Sequence, residues 1–149
     1  MTSDTTEITN LLYRYAELID QGEFDRCSEL FRHARIKARE GDRITTIDST
    51  QLLELWKTSI VLFENGSPRS KHVVSNPIVE FDDSATMATA RSYYTVFFQA
   101  HDKEPIRPIV AGRYHDRFEK VDGRWRFAER DYTKVDLVGD VTGHTRAKV

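Results

Sequence analysis

Apolar residues at helical spacing open the chain. Ile8, Leu11, Leu12, Tyr15, Leu18 and Ile19 recur every three or four positions, which predicts an amphipathic helix over residues 5–20. Asp4 followed by Glu7 has the spacing of a capping box, and Gln21-Gly22 ends the run. A second, shorter helix is expected at about 23–31, with Phe24, Cys27, Leu30 and Phe31 turned inward. Residues 34–39 read as a short strand. A third helix is expected over 48–63: Asp48, Ser49 and Thr50 offer N-caps, and Leu52, Leu55, Trp56, Ile60 and Phe63 form its stripe. Glu64-Asn65-Gly66-Ser67-Pro68 breaks it. The period then falls to two. Strands are expected at 72–81, 85–99, 109–121 and 124–132, with Asp82-Asp83 and Asp122-Gly123 as tight turns and a polar loop over 100–108. The Gly-rich polar tail after about residue 137 is expected to be loosely held.

Helices first and an antiparallel sheet afterwards is the α+β pattern. The 149 residues fit one domain, 1–149, large enough to bury a real core. A net charge of −2 gives no electrostatic case for nucleic acid or an anionic membrane. The single cysteine, Cys27, excludes an intramolecular disulfide and suits a reducing cytoplasm. The N-terminus lacks the basic and apolar regions of a signal peptide, and no apolar run is long enough to span a bilayer. Localisation is therefore read as cytoplasmic.

Three blocks carry a family resemblance. The run Leu11-Leu12-Tyr13-Arg14-Tyr15-Ala16-Glu17-Leu18-Ile19-Asp20-Gln21-Gly22-Glu23-Phe24-Asp25 resembles the opening of SnoaL-like proteins of the NTF2-like superfamily. So does Arg69-Ser70-Lys71-His72-Val73-Val74-Ser75-Asn76-Pro77. The third block runs from Gly112-Arg113-Tyr114-His115-Asp116-Arg117-Phe118 into Gly123-Arg124-Trp125-Arg126-Phe127-Ala128-Glu129-Arg130. The resemblance implies a cone-shaped half-barrel: a curved, mainly antiparallel sheet packed on three N-terminal helices around one apolar pocket. Within the superfamily the chain is most similar to scytalone dehydratase and bile-acid 7α-dehydratase. Both use an Asp at the end of the first helix and a His opening a strand as an acid/base pair, which implies Asp20 and His72. The bile-acid enzyme adds a Tyr five residues before its Asp, which implies Tyr15. The second catalytic His of the fungal enzyme falls at about Phe97 here, so that enzyme's chemistry does not transfer intact.

Residue types and positions set these candidates beside plainer roles. Removing water across a carbon–carbon bond needs a base for the C–H proton and an acid for the leaving hydroxyl, and one His can serve as both. His72 lies between a breaker-rich loop and an apolar strand, where a structural His is the plain alternative. Asp20 falls about 40° beyond Ala16, at the edge of the apolar arc and at a helix C-terminus that disfavours a carboxylate. Tyr15 belongs to the apolar stripe and is about 140° from Asp20, so the two converge only if the helix unwinds or the ligand sits off its end. Tyr93, Phe97, Tyr114 and Trp56 are candidate pocket residues. Arg130 is a candidate anion clamp at the pocket mouth, or a solvated Arg sharing the face of Arg126. His115 reads as a surface or interface residue and Cys27 as an inert buried thiol. No metal-ligand spacing, phosphate loop or Gly-x-Ser-x-Gly occurs, so neither metal nor cofactor is expected.

Two functions follow as expectations. One is a cofactor-independent lyase or isomerase acting on a small hydrophobic ring compound, such as a steroid, terpenoid or polyketide. The other is a non-catalytic binding or assembly subunit on the same cone, like the β subunits of ring-hydroxylating dioxygenases. Apolar side chains on both faces of the 85–99 strand predict a homodimer, with a trimer as runner-up.

Overall fold

A computed structural model describes residues 2–146. Helix α1 runs from Asp4 to Asp20 and α2 from Phe24 to Glu29. After strands β1 (Arg35–Glu40) and β2 (Arg43–Ile47) comes α3 (Ser49–Ser59). Four long strands follow, β3 (Ser70–Phe81), β4 (Met87–Phe98), β5 (Arg107–Val121) and β6 (Arg124–Asp131), and then the short β7 (Val135–Val138). The sheet order is β2-β1-β6-β5-β4-β3, with β7 paired to β5. Every pairing is antiparallel except that of β1 with β6. The expected α+β cone is therefore present: three helices and a curved, unclosed sheet. Among the described residues no helix is long and apolar enough to cross a membrane.

Local chemistry explains the helix boundaries. Ser3, not Asp4, caps α1 by accepting from the Thr6 N–H. Asp4 and Glu7 bind outward instead: Trp125 donates its indole N–H to Asp4 at 3.0 Å and its backbone N–H to Glu7 at 2.6 Å. These bonds tie the start of α1 to β6. Asp48 and Gln51 form a full capping box on α3. That helix ends four residues earlier than expected, because Ile60 turns extended and bridges Thr145 of the tail. Gly22 ends α1 with φ +76, and a Cβ there would run into the Gly66 carbonyl oxygen.

The buried cluster draws on all three helices and the inner sheet face, including Ile8, Leu12, Ile19, Phe31, Trp56, Val96, Phe98, Tyr114, Phe118 and Phe127. Cys27 lies inside it, and burial pushes its thiol up to about 12. Strand β2 has no counterpart among the expected elements. Its residues are largely exposed, so no apolar alternation marks it. The tail also differs from expectation. Through residue 146 it is tied back to the fold, and His144 is buried.

Candidate active site

Asp20, the last residue of α1, meets the first turn of residues in β3. Its Oδ1 lies 2.6 Å from His72 Nδ1 and accepts from the Ser70 hydroxyl at 2.9 Å. Its Oδ2 accepts from the His72 backbone N–H at 2.7 Å. Three donors therefore fix one carboxylate, and the carboxylate fixes the imidazole. With Nδ1–H donating to Asp20, the lone pair of His72 sits on Nε2, where it can accept a proton. The His72 and Asp20 side chains are only 10% and 8% exposed, so the pair acts in a largely water-poor setting.

Tyr15 meets His72 with α1 unbroken through Asp20. The Tyr15 ring stands edge-on to His72, with centroids 5.9 Å apart and planes at 86°. It also meets Phe31, Trp56 and Tyr114. The convergence comes from β3, which crosses the end of α1 and carries His72 to Tyr15. The Tyr15 and Tyr132 hydroxyls are 3.0 Å apart. Burial raises the Tyr15 and Tyr114 phenols well above their ordinary value and Tyr132 to about 12, so all three stay protonated.

The other candidates divide. Trp56 and Tyr114 are buried inside the cone, with Tyr114 stacked on Tyr94 at 4.2 Å. Tyr93 is not inside, and Phe97 lies on the outer face, where it lines the cavity beside Asp20. Strand β4 buries Ala88, Ala90, Ser92, Tyr94, Val96 and Phe98, which leaves Tyr93 57% exposed on the outer face and Phe97 half-buried there. Tyr94 is the inner tyrosine. Arg130 is neither at the mouth nor solvated. It is fully buried and binds Asp116 through two bonds, Nε–Oδ1 at 2.8 Å and Nη2–Oδ2 at 3.1 Å. Its guanidinium lies 3.9 Å from the Tyr114 ring centroid and 4.3 Å from that of Tyr15. A bulge explains the displacement: Arg117 pairs with Glu129 but Phe118 with Phe127, so Ala128 is extra. The alternation slips, and Arg130 lands on the face of Trp125 and Phe127 rather than that of Arg126. Burial pushes the Asp116 carboxyl up, against the pull of Arg130.

Sequence reasoning missed Ser70, Tyr132, Asp116 and His144. Ser70 had a signal, since it sits two residues from His72 and so on the same side of the strand. Asp116 had one too, on the face of Tyr114. A cavity of about 340 Å³ opens beside Asp20, lined among others by Ser70, Lys71, Phe97 and Phe98. Among the described residues no group of three or more His, Cys, Asp or Glu side chains is placed to hold a metal ion.

Three helices on a curved, unclosed sheet, with Asp20 of α1 bonded to His72 of β3, give the architecture of the NTF2-like class. The SnoaL-like domain model matches residues 1–131, and the chain belongs to that family. No curated protein matches it. Among solved structures, a Novosphingobium aromaticivorans protein provisionally assigned as a scytalone dehydratase superposes with a TM-score of 0.67 at 21% identity, covering 97% of this chain and 95% of the other. A Mycobacterium tuberculosis protein of unknown function gives 0.67 at 22% identity, over 91% of this chain and 73% of its own. A β subunit of a provisionally assigned aromatic-ring-hydroxylating dioxygenase from N. aromaticivorans gives 0.64 at 19%, over 95% of both chains. At these identities the likeness is one of fold.

Proposed function

We propose that the protein is a cofactor-independent acid/base lyase of the dehydratase type, or an isomerase, acting on a small hydrophobic ring compound such as a steroid, terpenoid or polyketide. The observation that carries this reading is the His72 Nδ1–Asp20 Oδ1 distance of 2.6 Å. Nε2 of His72 takes the C–H proton and then returns it to the leaving hydroxyl, so one imidazole serves as base and acid in turn. Asp20 keeps the ring in the productive tautomer and offsets the positive charge between the two steps. Tyr15, still protonated, offers a hydrogen bond to a ligand oxygen, and Trp56 and Tyr114 supply apolar wall. This chemistry requires neither metal nor cofactor.

The test is turnover. His72→Ala removes the base, and Asp20→Asn turns an amide NH2 toward Nδ1, which forces the opposite tautomer and blocks Nε2. Each is expected to lower turnover roughly 10²–10⁴-fold, with the double variant less than additive. Hydroxylated steroids, terpenoids and aromatic polyketides are the substrates to screen by loss of water. Wild-type rates in both variants would defeat the reading.

A second reading has its own support. The middle of the cone is occupied by side chains: Tyr15, Phe31, Trp56, Tyr114 and Tyr132 meet ring to ring around Arg130. Such a filled interior suits an assembly subunit, and a dioxygenase β subunit is among the similar folds. Absence of turnover across the screen, together with a stable heteromeric complex, would favour it. For either function we propose a homodimer through the outer sheet face, where Val73, Ile78, Tyr93, Leu137 and Val138 are exposed.

A further inference from the structure

We infer that the cavity beside Asp20 receives a carboxylate carried by the ring ligand, and that Lys71 is the cation that fixes it. The ligand is the ring compound proposed above, and the assignment of its charge rests on that reading.

The cavity encloses about 340 Å³, within the range of small-molecule sites. It lies where β3, the edge strand, begins. Lys71 pairs in register with Phe97 on the outer face, and Ser70 with Phe98 on the inner one. Asp20 from α1 and the loop residues Asn65, Arg69 and Ile106 also line it. Phe97, Phe98 and Ile106 give a ring an apolar wall, and Ile106 is 69% exposed and so open to contact.

The polar groups of the lining are unevenly used. Their carboxylate and amide oxygens are taken. Asp20 Oδ1 accepts from Ser70 and meets His72 Nδ1, while Oδ2 accepts from the His72 N–H. Asn65 Oδ1 accepts from the Ser67 backbone N–H at 3.0 Å and from its hydroxyl at 2.9 Å. Gln99 Oε1 accepts from Arg69 at 3.3 Å. Donors are left over. Among the described residues Lys71 forms no ion pair. Asn65 engages only its amide oxygen there, and Arg69 only Nε and Nη2. Asp102, the 2.8 Å partner of Arg69, lies outside this lining and is 89% exposed, so water screens that pair.

Open donors and occupied acceptors suit a group that only accepts, and two cations favour one that is charged. A carboxylate meets both conditions. Asp20 is the one acidic side chain in the lining among the described residues, and it opposes an anion. Three donors already meet its charge, and Lys71 and Arg69 outnumber it. Arg69 is held by Gln99 and Asp102, which leaves Lys71 free to close on the ligand. The ligand carboxylate therefore sits at Lys71, with its ring against Phe97 and Ile106. Lys71 binds and orients; proton transfer stays with His72.

The test titrates the full chain with two probes that share a ring and a carbonyl and differ in charge, 2-naphthoate and methyl 2-naphthoate, by ligand fluorescence near neutral pH. Wild type should prefer the acid about 10-fold at low salt, the worth of a charge-assisted bond reduced by exposure, and less at high salt. Lys71→Gln should lose that preference and still bind the ester, and Lys71→Arg should keep it. Phe97→Ala should weaken both probes alike. Lys134→Gln removes a cation that lines a different cavity and should leave the preference unchanged. No preference in wild type, preference surviving Lys71→Gln, an equal loss in Lys134→Gln, or failure to bind either probe overturns the inference. Turnover decides the other reading separately. Preference intact beside wild-type rates in His72→Ala defeats the acid/base chemistry alone; preference absent beside turnover that still needs His72 defeats the carboxylate alone.

Discussion

The buried Arg130–Asp116 pair makes the sharpest stability prediction. Both side chains are fully buried, joined by two hydrogen bonds of 2.8 and 3.1 Å. Asp116→Leu leaves a guanidinium without its counter-charge among Tyr15, Phe31, Tyr114, Phe127 and Tyr132. Removing one partner of such a pair costs about 3–5 kcal/mol. Arg130→Met should cost a similar amount, because Asp116 then stays buried without its cation. The double variant removes both charges and keeps most of the volume. It loses only the stacking of the cation on the rings, about 1–2 kcal/mol. The coupling in the cycle should therefore exceed roughly 3 kcal/mol. Urea unfolding of the four proteins measures it, with midpoint shifts at constant slope as the criterion. For a chain of 149 residues the single variants should melt about 10 °C or more below wild type. A cost below about 1 kcal/mol for Asp116→Leu, or a double variant no better than the worse single, would refute the argument that the charges, rather than the packing, dominate here.

Three further outcomes follow. His144 has its pKa lowered from 6.5 to about 4, so below pH 6.5 the released segment takes a proton that the docked one refuses. Docking is then fully favoured above pH 6.5 and loses up to about 3 kcal/mol by pH 4; faster hydrogen exchange at the Val61 and Arg146 amides on acidification is expected, and flat protection from pH 7 to 5 would contradict it. Gly22→Ala should cost at least ~2 kcal/mol by thermal melt, from the left-handed backbone and the Gly66 carbonyl together, whereas Gly41→Ala, with open space around it, should cost less. Light scattering at micromolar concentration should give a dimer mass, and Leu137→Glu, on the exposed apolar face, should shift it to monomer; a wild-type monomer would exclude the interface.

The elements with strong periodicity were legible: α1 and the four long strands lie within a few residues of their expected bounds. What failed has physical causes. In β4 the alternation was plain, yet Tyr93 and Phe97 on one face look as apolar as Tyr94 and Phe98 on the other, so the pattern does not say which face is inner. In β6 one extra residue, Ala128, shifts Arg130 to the core, and a bulge has no simple sequence mark. The pairing of residues 20 and 72 came from family resemblance. Composition alone could not bring together groups fifty-two positions apart. His144 was hidden because its burial depends on hydrogen bonds made by Arg107 and Arg146, not on any apolar run.

Strand β3 is an edge of the sheet, with β4 as its only strand neighbour among the described residues. The His72 backbone N–H that Asp20 accepts is therefore a donor that no strand satisfies. An open edge donor next to the apolar Val73 and Val74 invites pairing with another chain. Asp20 thus also guards that edge, occupying a backbone group that would otherwise template aggregation. Substitutions that discard the carboxylate should then leave a chain more prone to associate edge to edge, whatever becomes of its chemistry, and Asp20→Ala more so than Asp20→Asn, whose amide oxygen can still hold the His72 N–H.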